Sequence, residues 1–429
     1  MFLYFAIPAI AIVVVLILLV LFEPGLDYAV EAPPLPIDSD DFLCLMGALS
    51  DAQVRRDSGA EVLTNGTVFY EAQLEAIRNA KRSVNLEAYI FRDDAIGRRF
   101  VEALEGRARA GVKVNVVLDA IGSWSTRDKG CKDLRAAGGR VCWYQPIRWY
   151  TLKRFNNRTH RELLIVDGET GFIGGAGIGD VWMTGEKGEP AWRDTVVRLT
   201  GDLVTGLQST FVENWIEAAD EILTGDEYFP ACVAMSEEDG ERTPDEAAGI
   251  VVISSPSAGR STRARVLFQT LLASAQHTIY INSPYFLPDV SIRQELVKAV
   301  GRGVTVKIIA PGDHADHMMT RRASRRRYGD LLKGGAEIYE YQPSMIHAKI
   351  LIVDGVWAVV GSTNFDNRSF GLNDEVNLAA RCGPLARRLT EDFLRDLQVS
   401  HRITLEEWER RSVGERVMET LGRVIERQQ

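Results

Sequence analysis

Two histidines and one lysine carry the most legible chemistry in this 429-residue chain. His347 and Lys349 stand in M-I-H-A-K-I-L-I-V-D-G, residues 345 to 355, where the apolar pattern predicts a strand over 346 to 353. Side chains two apart on a strand share a face, so His347 and Lys349 project together while Ile350 and Ile352 fall opposite. An imidazole can attack phosphorus or pass a proton near neutral pH, and a neighbouring ammonium neutralises a phosphate or carboxylate oxygen. Asp354-Gly355 predicts a hairpin turn, with the chain returning through Val356 to Val360 and stopping at Gly361-Ser362. Taken alone, a His-x-Lys pair more often describes a solvated strand face.

A second copy removes that ambiguity. Residues 159 to 175 read T-H-R-E-L-L-I-V-D-G-E-T-G-F-I-G-G, so His160 answers His347, Asp167 answers Asp354, and Gly174-Gly175 answers Gly361-Ser362. Asp167 and Asp354 belong to the motif, and their Asp-Gly setting favours a structural role over metal ligation. Glu162 stands where the other copy has Lys349. An unpaired carboxylate about 4 Å from a phosphate charge would cost about 4 kcal/mol at an effective dielectric of 20. Strand alternation turns Arg161 to the other face. Lys153, Arg154 and Arg158 in the preceding loop are the cations available to pair with Glu162 or to supply the missing charge.

Paired H-x-K-x4-D motifs, the first degenerate as H-x-E-x4-D, make the chain resemble the phospholipase D superfamily, and within it the bacterial cardiolipin synthases. E-A-Y-I-F at 87 to 91, W-R-D at 192 to 194, N-S-P-Y-F-L-P-D at 282 to 289 and G-S-T-N-F-D-N-R-S-F at 361 to 370 carry the likeness. The first copy departs at Glu162 and at Gly177, which stands opposite Asn364. The resemblance implies a two-step phosphohistidine route without metal or cofactor, with His160 as nucleophile and His347 as general acid. It places Glu375, 28 residues beyond His347, in the orienting position of the second motif, and Asp194 of W-R-D is the candidate partner of His160. Ser362 and Asn364 are expected at the substrate.

The elements that must position these groups repeat with them. Helix 70–81, strand 83–91, helix 96–110, strand 112–118, a charged helix running to Gly138-Gly139 and strand 140–144 are answered by helix 263–275, strand 278–282, helix 291–301, strand 304–309, helix 318–333 and strand 337–341. Alternating strands and helices predict an α/β sheet covered on both faces. The duplication predicts two such phospholipase D-like α/β units about a pseudo-twofold axis, bringing His160 and His347 to one seam.

Outside this repeat, residues 2 to 22 are uncharged and apolar, long enough as a helix to cross about 30 Å of hydrocarbon. We expect a retained single-pass anchor over 1–24, and so a membrane location with an anionic phospholipid bilayer as partner. An acidic, Pro-containing tether follows over 25–62, then the first half (63–235), an acidic linker (236–249), the second half (250–400) and an amphipathic helical tail (401–429). A net charge of −9 argues against a nucleic acid partner. Five cysteines form no zinc spacing; Cys131 and Cys142 are the one plausible disulfide pair, and buried thiols the simpler expectation. Arg321 with Arg325 makes a basic i, i+4 helix face, either a site for phosphate or anionic headgroups or merely solvated. Three functions follow: a phosphatidyl transferase, a phosphodiesterase using water, and a non-catalytic lipid-binding chain.

Overall fold

The short Val-, Ile- and Leu-rich runs pair into one sheet of fifteen strands in the computed structural model, which describes residues 29–126, 130–148, 156–186, 188–230, 247–256 and 262–412. The first half contributes β1 (Arg55–Thr64), β2 (Ser83–Ala88), β3 (Lys113–Asp119), β4 (Arg140–Tyr144), β5 (Leu163–Val166), β6 (Thr170–Gly174) and β7 (Thr195–Gly201). The second contributes β8 (Ala247–Ser254), β9 (Thr278–Asn282), β10 (Thr305–Pro311), β11 (Glu337–Tyr341), β12 (Ile350–Val353), β13 (Trp357–Gly361) and β14 (Glu375–Arg381). A last strand, β15 (Ser400–Ile403), extends the edge beyond β11. From the middle outward the halves run β1-β7-β6-β5-β2-β3-β4 and β8-β14-β13-β12-β9-β10-β11, the same order strand for strand. The duplication is therefore present. Its two units share one sheet, because β1 and β8 pair antiparallel and cover the edge that each would otherwise expose.

Matched local signals build the matched elements. The crossover helix Ala95–Arg109 is capped by Asp94, whose carboxylate accepts from the Gly97 N–H, and buries Ile96, Phe100 and Leu104 against the sheet. Its counterpart Val290–Gly301 is capped by Asp289 in the same way and buries Ile292, Leu296 and Ala299. Each is followed by one cap residue and then a glycine at positive φ, Gly111 at 86° and Gly303 at 92°, a conformation that costs glycine least. Each crossover joins the first two of three parallel strands in its half, β2-β3-β4 and β9-β10-β11.

The segment expected as a tether is partly structured. Helix Asp40–Leu49 buries Phe42, Leu43 and Met46 in the second half's core, where Phe42 meets Trp357 edge-on, and β1 lies at the middle of the sheet. Helix Gly383–Gln398, at the end of the second half, buries Leu385, Leu389 and Phe393 in a core shared by both halves. Helix Leu203–Ala219 contributes Leu207, Phe211 and Trp215 to that same core. The apolar stretch 2–22, most of the acidic linker and residues 413–429 lie outside the described residues. Among the described residues no helix is long and apolar enough to cross a membrane. Cys131 and Cys142 are free thiols, so the disulfide considered for them is not formed.

Candidate active site

Each motif ends in the hairpin that its Asp-Gly pair predicts. Val166 O accepts from the Glu169 N–H and Val353 O from the Val356 N–H, closing the β5–β6 and β12–β13 turns. Asp167 and Gly168 have φ of 56° and 67°, and Asp354 and Gly355 of 55° and 65°, the left-handed region that Asp and Gly tolerate. The Asp167 carboxylate accepts from the backbone N–H groups of Lys81, Arg82 and Ser83 at 2.7 to 3.1 Å. That of Asp354 accepts from Gln276, His277 and Thr278 at 2.7 to 2.8 Å. These aspartates tie the starts of β2 and β9 to the turns. Neither lines the cavity described below, so as members of a catalytic set they are corrected to structural residues.

The strands carrying the histidines are shorter than predicted, and the reason is the site itself. Ahead of β12, the backbone leaves its own half: the His347 N–H donates to Arg193 O at 2.7 Å, and the Arg193 N–H donates to Met345 O at 2.8 Å. Ahead of β5, the His160 N–H donates to Asp374 O and the Asp374 N–H to Arg158 O, both at 2.9 Å. Side-chain alternation persists through these crossings. Ile346, Ala348 and Ile350 pack into the shared core, while His347 and Lys349 turn to a cavity of about 250 Å³ that His160 also lines. Arg161 turns the other way, buried against Thr210 O and Glu213.

Because each histidine segment pairs with the other half, each histidine meets the other half's carboxylate. Asp194 lies 2.9 Å from Nδ1 of His347, and Glu375 lies 3.6 Å from Nδ1 of His160. The expected assignment, Glu375 to His347 and Asp194 to His160, is thus reversed. The two pairs also differ. Asp194 accepts from Trp182 Nε1 at 3.0 Å and from the Thr195 N–H at 2.8 Å as well as facing His347. Burial alone would raise its pKa, but the His347 hydrogen bond and the charges of His347 and Lys349 hold it below the ordinary value. Burial pushes Glu375 up to about 8, against the hydrogen bonds from Ser362 and Asn373. One histidine therefore faces an ionised carboxylate and the other a carboxyl that keeps its proton.

Burial lowers both imidazoles, that of His160 well below the ordinary value, with Arg368 and then Lys349 adding to the effect. For His347, burial and Lys349 lower the pKa while Asp194 counteracts them. Tyr89 packs tilted against the His160 ring at 4.1 Å, and Trp182 and Trp192 enclose His347 at 5.5 and 5.4 Å.

Lys349 sits against its own motif partner. Its Nζ donates to His347 O at 2.9 Å and lies 3.0 Å from Nδ1, and burial lowers its pKa. Gly175 makes room for it, since a Cβ there would lie 2.7 Å from Lys349 Cδ. Glu162 lines the cavity and accepts from the backbone N–H groups of Tyr89 and Ile90, both at 3.2 Å. Burial raises its pKa well above the carboxylate range, so its neutral form is favoured. Of the loop cations considered for it, Lys153 and Arg154 lie outside the described residues, and Arg158 binds Gln145 O and lies beside Asp119. The second departure accompanies the first, because a Cβ on Gly177 would crowd Ile90 and come within 3.2 Å of Glu162 Oε1.

Asn364 lines the cavity, its buried Oδ1 without a hydrogen-bond partner among the described residues. Ser362 does not reach it; its hydroxyl donates to Glu375 and so acts on the carboxyl rather than on substrate. Arg321 and Arg325 share a helix face as their spacing predicts, but that face points inward. Arg321 pairs with Glu340 at 2.8 Å and Asp313 at 2.9 Å, and Arg325 lies 3.4 Å from the same Glu340. They hold the helix to β11, so their expected role at phosphate is corrected. Sequence reasoning passed over Tyr89, Trp192, Tyr285, Asp316, His317 and Arg368, all of which line the cavity. Four of them stand in or beside strings already singled out, which was the signal available. Among the described residues no three His, Cys, Asp or Glu side chains are grouped to hold a metal ion.

A duplicated α/β chain with one histidine from each copy in a shared cavity is a phospholipase D-like protein. The chain belongs to the family described as cardiolipin synthase, PLD-like domain, whose pattern matches residues 74–183 and 268–397. It is 34% identical to a cardiolipin synthase of Oceanobacillus iheyensis over 390 residues, covering 91% of this chain and 79% of that one. It is 33% identical to the major cardiolipin synthase of Bacillus subtilis over 391 residues, covering 90% and 79%. The fold is also that of a phosphatidylserine synthase from Haemophilus influenzae, with a TM-score of 0.67 at 15% identity over 89% of this chain and 96% of that one.

Proposed function

We infer that this chain is a phosphatidyl transferase of the cardiolipin synthase type, joining two phosphatidylglycerol molecules and releasing glycerol. One observation carries the mechanism: two histidines from duplicated motifs share one cavity, each beside a carboxyl from the opposite half. The electrostatics support distinct roles. His160, its pKa depressed further, is the neutral nucleophile. His347, beside ionised Asp194, is the group better able to hold a proton for the leaving alcohol.

In the first step Nε2 of His160 forms a bond to phosphorus as the bond from phosphorus to the glycerol oxygen breaks. That oxygen takes the proton of His347. In the second step the hydroxyl of a second phosphatidylglycerol gives its proton to His347 and attacks phosphorus, and the P–N bond to His160 breaks. Asp194 steadies the imidazolium each time it forms. Lys349 offsets the charge on the phosphate oxygens. Residues 1–24 anchor this site as a single span beside an anionic bilayer, which raises the effective concentration of lipid at the cavity.

Lipid mass spectrometry of cells making the wild-type chain or His347→Asn tests the reading. Cardiolipin formed only with the wild type is the expected result. Phosphatidic acid in place of cardiolipin would identify water as the acceptor, and unchanged cardiolipin with the variant would remove His347 from the chemistry.

A further inference from the structure

The cavity has an unequal supply of positive charge. Lys349 comes from the second motif and lies against His347, within 3.2 Å of both ring nitrogens. The first motif places no cation opposite it. Glu162 takes that position, Gly175 answers Ser362 and Gly177 answers Asn364. A phosphodiester attacked by His160 nevertheless gathers negative charge on its non-bridging oxygens, and a single ammonium beside the other histidine covers one side of it.

A further cation at this cavity is Arg368. It is carried by the short helix Asn367–Gly371 of the second half and lines the same cavity as His160, Tyr89 and Glu162. Its guanidinium is tied in place: Nη1 donates to Asn156 Oδ1 at 2.7 Å and Nη2 to Asn156 O at 2.9 Å. Its charge bears on His160 more strongly than that of Lys349. Asp366, two residues away, is engaged by the Ser369 N–H, and Glu162 across the cavity lining favours its neutral form. Guanidinium is always charged and its planar array of N–H donors suits phosphate oxygens.

We propose that Arg368 is a catalytic residue whose guanidinium takes the phosphate oxygen on the His160 side, supplying from the second half the cation that the first motif does not provide. This assignment rests on the reading that a phosphodiester is cleaved in this cavity. It makes Glu162 a tolerated neutral wall and divides the phosphate charge between Lys349 and Arg368, both from the second half.

The test uses the full chain in detergent micelles, with orthovanadate as the oxyanion probe and phosphatidylglycerol turnover as a second readout. Arg368→Ala is expected to weaken vanadate binding about tenfold or more and to lower kcat by about 100-fold, the scale of losing one oxyanion donor. Asn156→Ala, which removes one side-chain tether of the guanidinium but leaves its charge, is expected to lower both by clearly less than Arg368→Ala does. Glu162→Lys placed in the Arg368→Ala chain is expected to recover much of the vanadate affinity, since a cation is restored beside the same oxygen. Vanadate binding unchanged in Arg368→Ala overturns the proposal, as does an Asn156→Ala loss equal to that of Arg368→Ala. A chain that binds vanadate through Arg368 yet forms no cardiolipin would sustain this assignment and sink the transferase reading alone.

Discussion

The two halves repeat one backbone and present two different surfaces to the cavity. Strand order, aspartate-capped crossover helices and Asp-Gly turns match closely. The residues at the matched motif positions do not: Glu162, Gly175 and Gly177 answer Lys349, Ser362 and Asn364. The backbone is held to symmetry by the seam, where each half donates to and accepts from the other through Arg193 with His347 and Asp374 with His160. No such constraint holds the side chains. A two-step transfer asks one histidine to bond to phosphorus and the other to move a proton, and unequal surroundings serve unequal tasks.

The sharpest way to break this comparison is to remove one histidine at a time. His160→Asn and His347→Asn should each lower cardiolipin formation by about 10⁴-fold or more, measured as product per enzyme in micelles, because groups that act as a unit fail together. Wild-type turnover in either variant would end the shared-site account. The carboxyl pairs come next. Asp194→Asn should cost about 10³-fold in kcat, since it removes an ionised partner at 2.9 Å, and Glu375→Gln only about tenfold. Equal losses would show that the difference in ionisation has no bearing on the reaction.

Smaller effects sharpen the contrast between the two motif positions. Lys349→Ala should cost about 3 kcal/mol of transition-state stabilisation. Glu162→Gln should stay within about threefold of wild type, because the amide oxygen can still accept from Tyr89 and Ile90 and no buried donor is left unmet. A large loss in Glu162→Gln would give the carboxyl proton a task of its own. The smallest effect is on stability. Glu375 has a folded pKa raised from 4.5 to about 8, so across that window the folded chain holds a proton that the unfolded chain lacks. Its contribution to stability therefore falls as pH rises through the window and is level above it. Glu375→Gln does not titrate, so its Tm relative to wild type should climb between about pH 5 and about pH 8. A constant difference would show that Glu375 is ionised throughout.

Most of the repeat was legible because its punctuation is local. Glycines after helices and Asp-Gly pairs between apolar runs mark ends wherever they occur, and the predicted helix 318–333 and strand 337–341 match the structure end to end. β1 and β8 were not legible. R-R-D-S-G-A-E-V-L-T carries charges and a glycine, and it reads as a strand only once β7 and β8 are known to flank it. The carboxylate exchange was hidden for a similar reason. Glu375 is near His347 in sequence and meets His160 only through the backbone pairing of Asp374, a contact made across 214 residues. Spacing likewise revealed that Arg321 and Arg325 share a face but not that buried Glu340 lies under it.

The β1–β8 junction has a consequence for how such a chain can change over generations. Two identical single-motif subunits around a true twofold axis would have to show every residue twice, so a lysine lost from one would be lost from both. Tandem fusion into one polypeptide lifts that obligation. A substitution such as lysine to glutamate can settle in one copy while the other retains its ammonium, and compensations such as Gly177 and Arg368 can gather wherever they are needed. The junction strand that makes the sheet continuous is thus also what allows its two ends to follow separate histories.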